Sequence, residues 1–113
     1  MAKLVNATTG ETVLEHLEIA DTFWQRFKGL QLRRFLMPNS GILISPCSSL
    51  HTCFMRFPID VIMLDQSNAV IAIRRNVRPW RLLFCNSQTM RIIETNVSAL
   101  TIALGTRLQI DSA

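Results

Sequence analysis

The sequence predicts a mainly β, single-domain fold, a β-sandwich or barrel-like sheet of short strands with one short α-helix near residues 22–28. Two observations carry this reading. Apolar runs of strand length alternate with clusters of Gly, Pro, Asn, Asp and Ser along the whole chain, whereas helical signals coincide in one place only. The chain has 113 residues, of which 49% are hydrophobic and 18% charged, which suits one domain spanning residues 1–113 with a real core and excludes a disordered chain.

Lys3 to Asn6 reads as a strand and Thr8-Thr9-Gly10 as its turn. From Val13 to Ile19, the odd positions Val13, Leu17 and Ile19 form an apolar face, with His16 and Glu18 pointing the other way and Glu15 interrupting the pattern. The period then changes. Thr22-Phe-Trp-Gln25 matches a capping box, in which Thr22 caps the first turn and Gln25 reaches back to its amide. Phe23 and Phe27 fall on one helix face, and Gly29 supplies a left-handed stop.

After a loop at Pro38-Asn39-Ser40, Gly41 to Ile44 is a buried strand, with Pro46 as its stop. Ile59 to Leu64 is a continuous apolar strand apart from Asp60. Asp65 to Asn68 is turn chemistry, so that Ala69 to Ile73 returns and residues 59–74 form a hairpin. Asn76 to Trp80 reads as a loop around Pro79. Arg81 to Phe84, Met90 to Glu94, Thr101 to Leu104 and Arg107 to Ile110 are further strands, giving seven or eight in all.

The charge is +4, from ten arginines and two lysines set against eight acidic residues. Arginine suits fixed, planar contacts with carboxylate or phosphate, so an anionic small molecule or an acidic protein surface is the partner class to expect. Arg74, Arg75, Arg78 and Arg81 cluster around Trp80. No nucleic-acid-binding motif accompanies them, and a solvated loop at a hairpin end is their plainer reading. Cys47, Cys53 and Cys85 are odd in number and contain no C-x-x-C, which argues against a disulfide framework. With no apolar leader and no run of membrane-spanning length, the expectation is a cytoplasmic protein.

The stretch His51 to Asp65 carries the candidate chemistry. It is mostly apolar, yet His51, Arg56, Asp60 and Asp65 are set into it, and an ionisable group in an apolar run must be paired or functional. Asp60 is expected to be buried and bonded, by backbone amides after Pro58 or by Arg56. Asp65 is a turn-opening residue. His51 either fixes the loop entering the strand or acts as a general base beside a carboxylate. Cys47, His51 and Cys53 are zinc-competent types in a spacing that matches no common site. Buried thiols explain them better, and no metal or other cofactor is expected. Arg26, on the helix, is read as a strut to loop carbonyls or to Asp60, or as the edge of a groove.

Three segments resemble the domain-of-unknown-function family 192. They are Ala20 to Leu30, with its Arg26-Phe-Lys-Gly29-Leu30 ending; Gly41 to Ile44 followed by His51-Thr52, Met55 and Pro58-Ile-Asp-Val61; and Ile71 to Pro79 leading to Gly105. The chain departs from the family pattern at Thr95 to Ser98, where an Ala-Gly pair is usual, and at Gly105-Thr106, where Gly-Asp is frequent. The resemblance implies a mainly β, sandwich-like fold and no reaction. The expected function is a non-enzymatic small-ligand or partner-binding module with a polar cleft at His51, Thr52, Arg56 and Asp60, flanked by Arg26. The rivals are a small hydrolase using His51 and Asp60 as catalytic acid–base groups, and an adaptor that docks a protein through the arginine-rich loop around Trp80.

Overall fold

The computed structural model describes residues 2–20, 36–45, 49–51, 57–85, 87–97 and 100–112, with the side chains of 49–51 excepted. Among these residues nine strands are formed: β1 (Ala2–Asn6), β2 (Thr12–Ala20), β3 (Ser40–Ile44), β4 (Ser49–His51), β5 (Ile59–Leu64), β6 (Val70–Val77), β7 (Leu82–Phe84), β8 (Arg91–Asn96) and β9 (Leu108–Ser112). Seven make one sheet in the order β6-β5-β8-β3-β2-β1-β9, and β4 pairs with β7 in a sheet of two. No described residue is helical; the helix expected over 22–28 lies outside the described residues. Among the described residues no helix is long and apolar enough to cross a membrane.

The large sheet curls until its two edge strands meet. Ala69, just before β6, bridges to Arg107, just before β9. Around that bridge Gly105 donates its amide to the Val70 carbonyl, Val70 to Thr106 and Leu108 to Asn68. The edges are joined at this corner, so of the two expected architectures the sheet is barrel-like. Leu4, Leu14, Leu17, Leu43, Ile62, Leu64, Ile93 and Leu108 form the cluster within the curl. The opposite face carries a second cluster of Ile42, Ile44, Ile59, Val61, Met63 and Ile92. Being buried on both faces explains why β3 and β5 read as near-continuous apolar runs, apart from Ser40 and Asp60, rather than as alternation.

Gly41 sits where the layers crowd. A Cβ there would lie 2.8 Å from Leu14 Cδ1 and 3.2 Å from the Glu94 carbonyl oxygen, so no side chain fits without displacement. β2 and β3 are the parallel pair, which requires a crossover; the chain between 21 and 39 supplies it.

Three expectations need correcting. In β2 the buried positions are Leu14, Leu17 and Ala20, while Val13 is half-buried and Ile19 exposed. The register against β1 shifts twice, and such bulges turn the side chains out of strict alternation. Thr101 to Leu104 is not a strand but irregular chain leading to the turn at Gly105. Conversely, β6 runs on to Val77 through residues expected to be loop. An irregularity opposite Asp60 lets it continue beside β5.

Candidate functional site

Asp60 enters the core because β5 is covered on both faces, so every residue of the strand is buried whatever its chemistry. Its side chain is 1% exposed. The strand pairing opposite it is irregular: Val61 faces Arg74 and Ile59 faces Val77, which leaves Arg75 and Asn76 across from one residue. This bulge is what satisfies the carboxylate. The Asn76 amide donates to Oδ1 at 2.8 Å, and the Arg75 Nη1 donates to Oδ2 at 2.8 Å. Asn76 adopts a φ of 53°, a left-handed conformation that asparagine tolerates better than most residues. The same Arg75 Nη1 reaches the Leu100 carbonyl at 2.9 Å, tying the irregular segment before β9 to the hairpin. The expectation that Asp60 is buried and bonded is met. Its cationic partner among the described residues is Arg75, a residue that sequence reasoning left in the solvated basic group. The alternation Asp60/Arg75 across a hairpin was the available signal, and the bulge hid it.

His51 lies in β4, opposite Leu82 of β7, with Leu50 opposite Leu83 and Ser49 opposite Phe84. The strand bearing His51 therefore joins the Trp80 region, and Asp60 stands in the other sheet. Arg26, Thr52 and Arg56 lie outside the described residues, as do Cys47 and Cys53. Among the described residues, no group of three or more His, Cys, Asp or Glu side chains is placed to hold a metal ion.

The feature that sequence reasoning missed is the outer surface of β7. Leu83 and Cys85 pack inward on the second cluster. By the period of two, Leu82 and Phe84 turn outward, and they are 64% and 73% exposed. Trp80, at the turn entering β7, is 60% exposed with a φ of 65°. Three large apolar side chains within five residues thus stand on the surface, beside the exposed Arg78 and Arg81. The sequence signal was the absence of any polar residue at the outward positions of this short strand.

Asp65 behaves as turn chemistry predicts. Its Oδ1 accepts from the Ser67 amide at 2.9 Å, the Ser67 hydroxyl at 2.9 Å and the Ala69 amide at 3.0 Å. The Ala69 amide, then the Ser67 hydroxyl, hold this carboxyl below its ordinary range, with attraction from Arg107 adding to them. A shallow, open depression of about 630 Å³ lies beside this turn, lined by Asp65, Gln66, Ser67, Ser87, Gln88, Thr89 and Met90. Neither it nor a smaller one beside Thr8, Thr9 and Arg107 includes His51 or Asp60.

The model of family DUF192, an uncharacterised ACR family, matches residues 4–110. A UPF0127 protein of Thermococcus sibiricus is 38% identical over 104 residues, covering 86% of this chain and 65% of the relative, so the chain spans a little under two thirds of that protein. A UPF0127 protein of Pyrococcus furiosus is 30% identical over 115 residues, covering 94% of this chain and 96% of the relative. A crystal structure of a protein of unknown function from Novosphingobium aromaticivorans superposes with a TM-score of 0.79 at 20% identity, covering 96% of this chain and 82% of that one. At that identity the likeness concerns the fold alone.

Proposed function

The chain belongs to the DUF192 family, and on that footing we propose that it is a non-enzymatic partner-binding module whose docking face is the outer surface of β7 and its margin along β4. The family is uncharacterised, so membership assigns no reaction. The observation that carries the proposal is the inversion along β7: Leu83 and Cys85 are tucked in, while Trp80, Leu82 and Phe84 stand in water. Clustered exposed side chains of this size mark interaction sites in soluble domains, and aromatic residues are enriched at the centres of interfaces. His51 borders this face through its pairing with Leu82. Thr52 and Arg56, which follow it in the chain, and Arg26 are kept as candidate binding residues. Asp60 serves as an internal anchor of the β5–β6 hairpin.

The hydrolase reading loses support from the same geometry. A general base must reach a substrate proton, and the Asp60 carboxylate is 1% exposed with both oxygens accepting hydrogen bonds from within the chain.

Selection of displayed peptides on the wild-type protein, with counter-selection on the Leu82→Ser/Phe84→Ser variant, tests the proposal. It requires peptides that bind the parent and are lost on the variant. Selected peptides that bind both proteins equally would place the docking face elsewhere.

A further inference from the structure

We infer that the depression beside the 65–68 turn is a subsite for a neutral, hydroxyl-rich ligand of sugar type, held by the Thr89 hydroxyl and the Oδ2 of Asp65. Its lining includes neither Leu82 nor Phe84, so it does not rest on the docking face proposed above.

Thr89 points to a ligand because its hydroxyl has nothing to bond. The residue is 8% exposed, whereas Gln66, Ser67, Ser87 and Met90 around the same depression are exposed. Its Oγ1 is buried and has no hydrogen-bond partner. A buried hydroxyl left unbonded costs free energy, and such groups are uncommon in folded chains. The depression is where this one can be satisfied. Rotation of χ1 between staggered wells brings the hydroxyl round to the open side, and the methyl that moves in its place is of nearly the same size.

Asp65 supplies a matching acceptor. Its bonds from Ser67 and Ala69 all fall on Oδ1, so among the described contacts Oδ2 is left to accept from a ligand. Both sides of the depression are braced in advance. Arg91 Nη1 donates to Asn68 Oδ1 at 3.0 Å, which holds the turn, and the Met90 amide donates to the Leu64 carbonyl at 2.8 Å, which holds the opposite side. The volume of about 630 Å³ falls in the range of small-molecule sites, about 300–1,000 Å³.

The side chains present select the class of ligand. No Lys, Arg or His lines the depression, so a phosphate or carboxylate meets no opposite charge there. A cation would be drawn to Asp65, but Arg107 already attracts that carboxylate and Arg91 is anchored to the same turn. A sugar hydroxyl both donates and accepts, which suits a carboxylate oxygen beside the Gln66 amide and the Ser87 and Thr89 hydroxyls. Met90, 42% exposed, offers an adaptable apolar surface to the C–H face of the ring.

Glucose, galactose, mannose and N-acetylglucosamine, titrated in turn into the isotope-labelled whole protein and followed by its amide resonances, test this. Spermidine and inorganic phosphate serve as charged controls. At least one sugar should shift the Ser67, Ser87 and Thr89 amides and saturate. Thr89→Val should weaken that sugar about tenfold and raise the melting temperature of the free protein, because the unbonded hydroxyl is gone. Gln66→Ala, on the exposed rim where folding is not at risk, should weaken it by a smaller factor. Absence of a saturating shift with all four sugars overturns the inference. So does parent-like affinity in a folded Thr89→Val protein or in Gln66→Ala. Saturating shifts of the same amides by spermidine or phosphate alone would overturn it in favour of a charged ligand.

Discussion

Asp60 and Phe84 violate the ordinary partition of side chains in opposite directions. Asp60 is an ionisable group 1% exposed in an apolar strand of the large sheet, and Phe84 is a large aromatic 73% exposed on the two-stranded sheet. The first anomaly is resolved inside the chain. A bulge in β6 delivers one backbone amide and one guanidinium to the two carboxylate oxygens, and the desolvation cost is offset by bonds to ionised and backbone donors. The second has no such resolution within the described chain, because the alternation that buries Leu83 exposes its neighbours. A buried charge that has found its partners is evidence about folding. An exposed apolar strand face is the observation on which the proposed docking surface rests.

The largest effect that would test this contrast comes from Asp60→Ala. It strands the Asn76 amide and removes the bond that ties Arg75 into the hairpin, so urea unfolding should show a loss of about 1–3 kcal/mol with little change in slope. The ion pair contributes the smaller share, because the Arg75 side chain is 43% exposed and screened by water. A midpoint equal to the parent's would mean that Asp60 is not a folding element, and would return it to the list of binding residues.

Leu82→Ser/Phe84→Ser should do the opposite: stability within about 0.5 kcal/mol of the parent, as for ordinary surface changes. Thermal melts of the pair of variants, run together, compare the two regions directly. A loss in the β7 variant as large as that in Asp60→Ala would make the stripe part of the core.

The smallest effect concerns Asp65, at the other end of the same hairpin. Its folded carboxyl titrates below the ordinary value of 3.8. The stabilisation is therefore complete above that value and is lost as pH falls through the lower, folded one. Acid unfolding curves of the parent and of Asp65→Asn should diverge at neutral pH and converge in that acidic range. Parallel curves throughout would show that the turn bonds do not depend on the charge. Asp65 is half-buried, so the divergence should be slight and should shrink with salt.

Much of this was legible in the residues. Turn chemistry at Asp65 to Asn68 placed the β5–β6 hairpin correctly, because an Asp side chain bonding the backbone two and four residues on is a local event. The burial of Asp60 followed from its apolar neighbours alone. What failed was whatever depended on register. The buried set of β2 moved from the expected odd positions to Leu14, Leu17 and Ala20 because of bulges against β1, which no pattern within β2 announces. The identity of Arg75 as the partner of Asp60 depended on a bulge fifteen residues away. The proposed site was legible in part: Trp80 and its arginines stood out as a group, while the exposure of Leu82 and Phe84 did not.

The sequence by itself determined the class of fold, the order of most strands, the hairpin at 59–74 and the family. These follow from local periodicity, turn residues and matched motifs, all of which are written within a few residues of where they act. Only the tertiary structure decided that the large sheet's edge strands meet through Ala69 and Arg107, that β4, which bears His51, pairs with β7, and that β7 shows its apolar side to water. Each of these is a pairing between segments distant in sequence. An apolar residue on a short strand carries no mark of which face will be covered until the neighbouring strands have taken their places.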